Sequence, residues 1–149
     1  MTNAADTRWI NPEFDDSTWS RGEDGFGTKS TPGALVHTEW KTNDIWLRRA
    51  FELDSKPLHA PQLLIHHDED AEIYVNGKLV AKLDGFTSAY GLIPLGRDAV
   101  GGFKPGRNVL AVHCHQTGGG QYIDVGLVEF IEKAGTGSSA TLKPTEAAP

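Results

Sequence analysis

The sequence predicts an all-β fold, an antiparallel sandwich or barrel. Three observations carry this. No long window shows a helical period. Apolar residues fall instead in short runs split by Gly, Pro, Asn and Asp. And Asn76-Gly77 sits between two alternating segments, the strongest short-range signal for a two-residue hairpin, because a type I′ turn needs positive φ at both central positions.

Taken in order, the region before residue 40 is rich in Trp, Gly and Asp and is expected to give one short strand plus loops. Residues 45–53 alternate Leu47, Phe51 and Leu53 against Trp46, Arg48 and Glu52. Short β runs follow at 61–67, 71–75 and 78–83, with a weaker one at 90–95. Residues 108–116 and 122–131 close the set, separated by the Gly118–Gly120 loop. With Asn76 and Gly77 as the turn, Val75 pairs with Lys78 and Ile73 with Val80. Ile73, Val75 and Val80 then face the core, and Tyr74, Leu79 and Ala81 the other side.

At 149 residues the chain has room for one domain and needs no staple to bury a core. Its single cysteine, Cys114, excludes a disulfide framework within one chain. A net charge of −6 argues against a nucleic-acid binder, and no apolar run reaches the ~18 residues of a membrane span. The first six residues show no signal-peptide features. Residues 134–149, rich in Ala, Gly, Ser, Thr and Pro, are expected to be a linker or disordered tail behind a 1–133 module, which suggests one part of a larger protein.

The candidate chemistry is sparse. Asp68, Glu69, Asp70 and Glu72 form an acidic cluster, but alternation places Asp70 and Glu72 on one face and Glu69 on the other. A solvated turn is therefore preferred over a glycosidase carboxylate pair or a hard-cation site. His113 and His115 share a face while Cys114 points the opposite way, so His-Cys-His is not a zinc motif. Together with His66 and His67 these histidines are expected on the surface or hydrogen-bonded on one sheet face. Gly118–Gly120 precede a strand rather than a helix, which rules against a phosphate loop. Cys114, mid-strand on the core side, has no G-x-S-x-G-type companion elsewhere.

Four segments in order carry a resemblance. Phe14-Asp15-Asp16-Ser17-Thr18-Trp19, Asp44–Leu53 with its Trp46-Leu47-Arg48-Arg49, Ala71–Val80 around Asn76-Gly77, and Lys104-Pro105-Gly106-Arg107-Asn108-Val109-Leu110-Ala111-Val112 resemble the galactose-binding-like, jelly-roll domains of glycoside hydrolases. The likeness is to the sugar-binding-type domain of β-galactosidase and β-glucuronidase relatives, and it spans about residues 9–131. It implies a jelly-roll sandwich of about eight strands. It also implies a non-catalytic module that binds or positions a glycan, covalently linked to a catalytic domain, with a structural calcium as a possible cofactor. Polysaccharide work favours a secreted, periplasmic or cell-surface protein. Two alternatives stay open: a structural spacer with no ligand, and a small stand-alone hydrolase, for which no convergent catalytic set is visible.

Strand parity places the site. If consecutive strands reverse direction, residues 40–44, 68–70, 84–89 and 116–121 gather at one end. That end collects Trp40, Asp44, Asp68, Asp70, Phe86, Tyr90, His115, Gln116, Gln121 and Tyr122. Sugars lay C–H faces on aromatic rings while polar groups fix their hydroxyls. The expected ligand-binding residues are therefore Trp40, Trp46, Asp68, Asp70, Tyr90, His115, Gln116, Gln121 and Tyr122.

Overall fold

The computed structural model describes residues 7–55 and 57–130. The expected tail at 134–149 lies outside them. Strands are β1 (Phe26–Gly27), β2 (Thr38–Glu39), β3 (Asp44–Leu53), β4 (Gln62–Asp68), β5 (Asp70–Val75), β6 (Lys78–Leu83), β7 (Gly91–Pro94), β8 (Gly106–His115) and β9 (Tyr122–Val128). A 3₁₀ turn at Thr7–Ile10 precedes them, and a one-turn helix α1 (Arg97–Val100) joins β7 to β8.

The strands form two sheets, one of five in the order β2-β1-β9-β4-β7 and one of four in the order β3-β8-β5-β6. Apart from the parallel β1–β2 pair, the pairings of these strands are antiparallel. The fold is thus an all-β sandwich of the jelly-roll type. Nine strands replace the expected eight because the region before residue 40 supplies two very short strands rather than one.

The core follows from period-2 alternation. Leu63, Ile65 and Ile123 project from the five-stranded sheet onto Ala71, Ile73, Val112 and Cys114 of the four-stranded one. Trp40, Leu95 and Ala99 seal it from the connections. Cys114 is fully buried on the core side, and burial pushes its thiol up to about 12.

The hairpin needs one correction. Asn76 (φ 50°) and Gly77 (φ 84°) do form the turn, and Val75 pairs with Lys78. Between Ile73 and Tyr74, however, the register shifts, so Ile73 faces Ala81 rather than Val80. The physical reason is visible one residue on. Unbroken pairing would set Lys82 opposite Ala71, on the core face. The bulge at Val80 instead sets Leu83 opposite Ala71 and Lys82 opposite Glu72, on the outer face. Ala81 and Leu83 therefore pack against the core. The histidines do not share one sheet face, which is a second correction: His66 and His67 lie on β4 of the five-stranded sheet, His113 and His115 on β8 of the other, and the first two take the hydrogen-bonded alternative, buried. His66 Nε2 bonds the Thr87 carbonyl at 2.9 Å and His67 Nδ1 the Glu69 carbonyl at 2.8 Å.

Candidate functional site

The four connections expected at one end do meet there. The Gln116 amide donates to the Asn43 carbonyl at 2.7 Å, the Gly85 amide to Asp70 Oδ1 at 2.6 Å, and Gln121 Nε2 to the Thr42 carbonyl at 2.6 Å. Thr117 Oγ1 bonds Glu69 Oε2, and Phe86 bridges Asp68. The far end gathers the 76–77 turn and the 96–107 connection, where Asn76 Nδ2 donates to the Gly102 carbonyl at 2.9 Å.

The nine candidate residues divide into three groups. Trp40, Asp68, Gln121 and Tyr122 are buried, each at or below 6% exposure. Trp40 Nε1 donates to Thr42 Oγ1 at 2.9 Å, and Tyr122 Oη donates to the Leu35 carbonyl at 3.2 Å. The Gln121 amide receives Thr31 Oγ1 as acceptor at 2.8 Å. Burial, reinforced by the neighbouring Glu69, pushes the Asp68 carboxyl above the usual carboxylate range. These side chains knit the end of the sandwich, as does Gln116, whose Nε2 reaches the Gly119 carbonyl at 3.5 Å.

Tyr90 stands apart, on the outer side of the five-stranded sheet. Its hydroxyl donates to Asp124 Oδ2 at 2.5 Å and lies 2.9 Å from that of Tyr122. Burial and the bond to Asp124 push the phenol upward.

Trp46, Asp70 and His115 share the outer face of the four-stranded sheet with residues the sequence reading did not select. Register aligns Trp46 on β3, His113 on β8, Glu72 on β5 and Lys82 on β6 in one row across all four strands. Asp44, His115 and Asp70 form the adjoining row. The half-buried Trp46 ring stacks on His113, centroids 5.1 Å apart and planes 12° off parallel. Asp44 Oδ1 accepts from His113 Nε2 and from His115 Nδ1, each at 2.8 Å. Burial draws the Asp44 carboxyl up, but the two imidazole hydrogen bonds outweigh it and leave the group below its ordinary value. Glu72 accepts from Lys82 Nζ at 2.8 Å and Tyr74 Oη at 2.9 Å. Lys82 chiefly lowers the Glu72 carboxyl, while burial and then Glu72 push the Tyr74 phenol up to about 12.

Around the edge of β3, Trp46 also borders a cleft of ≈ 730 Å³. Its rim includes Trp19, Arg21, Asp24 and Arg49, and its floor Leu47, Val112 and Ile123. Arg48, with a side chain only 2% exposed, fastens the wall of this cleft. Its guanidinium donates to Asp16 Oδ2 at 2.8 Å, the Asn11 carbonyl at 3.1 Å and the Trp9 carbonyl. Among the described residues no group of three or more His, Cys, Asp or Glu side chains converges as metal ligands.

Trp19, Asp44, Glu72 and His113 are the members the sequence reading left out. Period 2 alone places Asp44 with Trp46, Asp70 with Glu72, and His113 with His115. What was missing is the strand order β3-β8-β5, which joins these pairs into one surface.

No protein-family model matches the chain, and no curated protein matches it. Solved structures do. A glycosyl hydrolase family 2 member from Bacteroides cellulosilyticus DSM 14838 matches over 79% of this chain at 18% identity and a TM-score of 0.51. A structure of a family 2 member from Bacteroides cellulosilyticus, from microfluidic crystals, matches over 79% at 17% identity and a TM-score of 0.50. A β-glycosidase from Bacteroides vulgatus matches over 81% at 18% identity, with a TM-score of 0.48. This chain spans only 18% of the length of each of these proteins. At such identity the likeness is one of fold: the chain is a small β-sandwich of a kind built into much larger glycoside hydrolase proteins.

Proposed function

We propose that this chain is a non-catalytic, carbohydrate-binding module of a glycoside hydrolase, which holds or positions a glycan for a covalently linked catalytic domain. The observation that carries the reading is the Trp46–His113 stack. This aromatic platform, of which Trp46 also borders a cleft around the edge of β3, is flanked by Asp44, His115, Glu72 and Tyr74. An apolar plane ringed by a few fixed polar groups is the arrangement that sugar rings and their hydroxyls require. The fold shared with segments of family 2 glycosyl hydrolases supports the enzymatic context, which in turn favours an exported protein. Of the expected binding residues, Trp46, Asp70 and His115 lie on this face, which supports giving the ligand contacts to them.

The test is a glycan array on the full chain, followed by titration of any hit with tryptophan fluorescence as readout. Binding should quench the fluorescence, and Trp46→Ala should weaken it at least tenfold while leaving the fold intact. Silence on the array from a folded protein refutes the proposal.

A spacer role is the second reading, and one patch favours it. Leu35, Tyr90 and Leu92 are exposed on the outer side of the five-stranded sheet. Tyr122 joins the first two, its hydroxyl contacting the Leu35 carbonyl and the Tyr90 hydroxyl, and Leu92 follows Tyr90 by two residues. A spacer would bind no glycan, and Leu92→Lys, by breaking up its uncovered docking patch, should reduce its self-association.

A further inference from the structure

Resting on the glycan-binding reading above, we infer that the Trp46 face selects uncharged glycans and rejects uronate or sulfated ones. The polarity of the face is the reason. Around the Trp46–His113 stack it carries three carboxylates, Asp44, Asp70 and Glu72, against one ammonium, Lys82; the Arg48 guanidinium, next along β3 on this face, is only 2% exposed and is neutralised by Asp16. That ammonium is tied to Glu72 at 2.8 Å. Asp44 and Glu72 are both held in their ionised form by the hydrogen bonds they receive.

In their neutral form the histidines add no charge to offset this. When neutral, His113 carries its proton on Nε2 and His115 on Nδ1, because both nitrogens donate to Asp44. The other nitrogen of each ring is then a bare acceptor. The face therefore offers acceptors, which suit hydroxyl donors. A glycan carboxylate or sulfate would meet like charge well inside the ~8 Å screening length of physiological salt. Such juxtaposition discriminates by repulsion rather than by added attraction to the correct partner.

The experiment uses the full chain and matched probes: β-gluco-, β-galacto- and β-manno-tetrasaccharides, each beside its 6-carboxylated counterpart, with affinity measured by titration calorimetry. Uncharged probes should bind at least tenfold more tightly than their acidic partners. Glu72→Gln removes one carboxylate charge and keeps one of the two acceptor oxygens that Tyr74 and Lys82 use, freeing the ammonium's charge, so it should narrow that gap at least threefold, as should 0.5 M salt. Acidic probes bound equally well or better, with Trp46 still required, overturn the inference and leave the glycan-binding reading standing. A gap that neither Glu72→Gln nor salt changes overturns it too. Binding of no probe by the folded chain overturns both.

Discussion

Asn76 donates from Nδ2 to Asn108 Oδ1 at 2.8 Å, joining the hairpin turn to the start of β8 at the end of the sandwich opposite the Trp46 face. Asn108 is fully buried and its amide is saturated. Oδ1 also accepts from the Lys104 amide, and Nδ2 donates to the Lys104 and Gly106 carbonyls. Replacing it by Ala strands several buried groups, at a cost of about 3 kcal/mol. Asn108→Asp should do at least as much damage, since a carboxylate cannot donate to the two carbonyls. Urea midpoints at constant m-value check both, and binding on the distant face should be unchanged in the protein that remains folded.

Arg48 makes a second anchor. Its buried guanidinium fastens the 9–16 segment to the outer side of β3. Arg48→Met keeps most of the volume and leaves the half-exposed Asp16 to solvent, but strands the Trp9 and Asn11 carbonyls, and should cost about 2 kcal/mol. Because residues 16–24 wall the cleft beside Trp46, limited proteolysis should cut there first in this variant.

Asp44 should make stability depend on acid. Its folded value lies below the ordinary 3.8, so its contribution is full above that value and is lost as pH falls through the folded one. Asp44→Asn should therefore be less stable than the parent at about pH 6, and the difference should vanish toward about pH 2. A constant difference across that range would refute the role of the two imidazole bonds.

Asp68 should act with the opposite sign. Its folded value lies above 3.8, so the folded state retains a proton that the unfolded chain releases, and stability falls as pH rises through the folded value. Asp68→Asn removes a buried charge beside Glu69. It should raise the thermal midpoint at neutral pH and have little effect below about pH 3.

How much of this was legible in the sequence depends on what each feature needs. The strands, the Asn76-Gly77 turn, the burial of Cys114 and the gathering of four loops at one end all follow from alternation, turn chemistry and parity. The bulge at Val80 does not follow from the turn, because it answers a conflict between Lys82 and the core that appears only once β5 and β6 are paired. Trp40 and Tyr122 illustrate the limit for the site. Parity placed both at the correct end but could not tell a ring buried under neighbouring chain from one open to a ligand. Asp44 and His113 needed the order β3-β8-β5, a long-range relationship that no local pattern encodes.

The burial of Cys114 has a practical consequence. A thiol with no exposure and a proton held to about pH 12 cannot react with alkylating reagents while the sandwich is closed. Because it sits between the sheets on a central strand, local fraying of the loops would not release it. The rate at which a thiol reagent labels the chain should therefore report complete opening of the molecule, which gives each variant a label-based scale of global stability that needs no engineered cysteine.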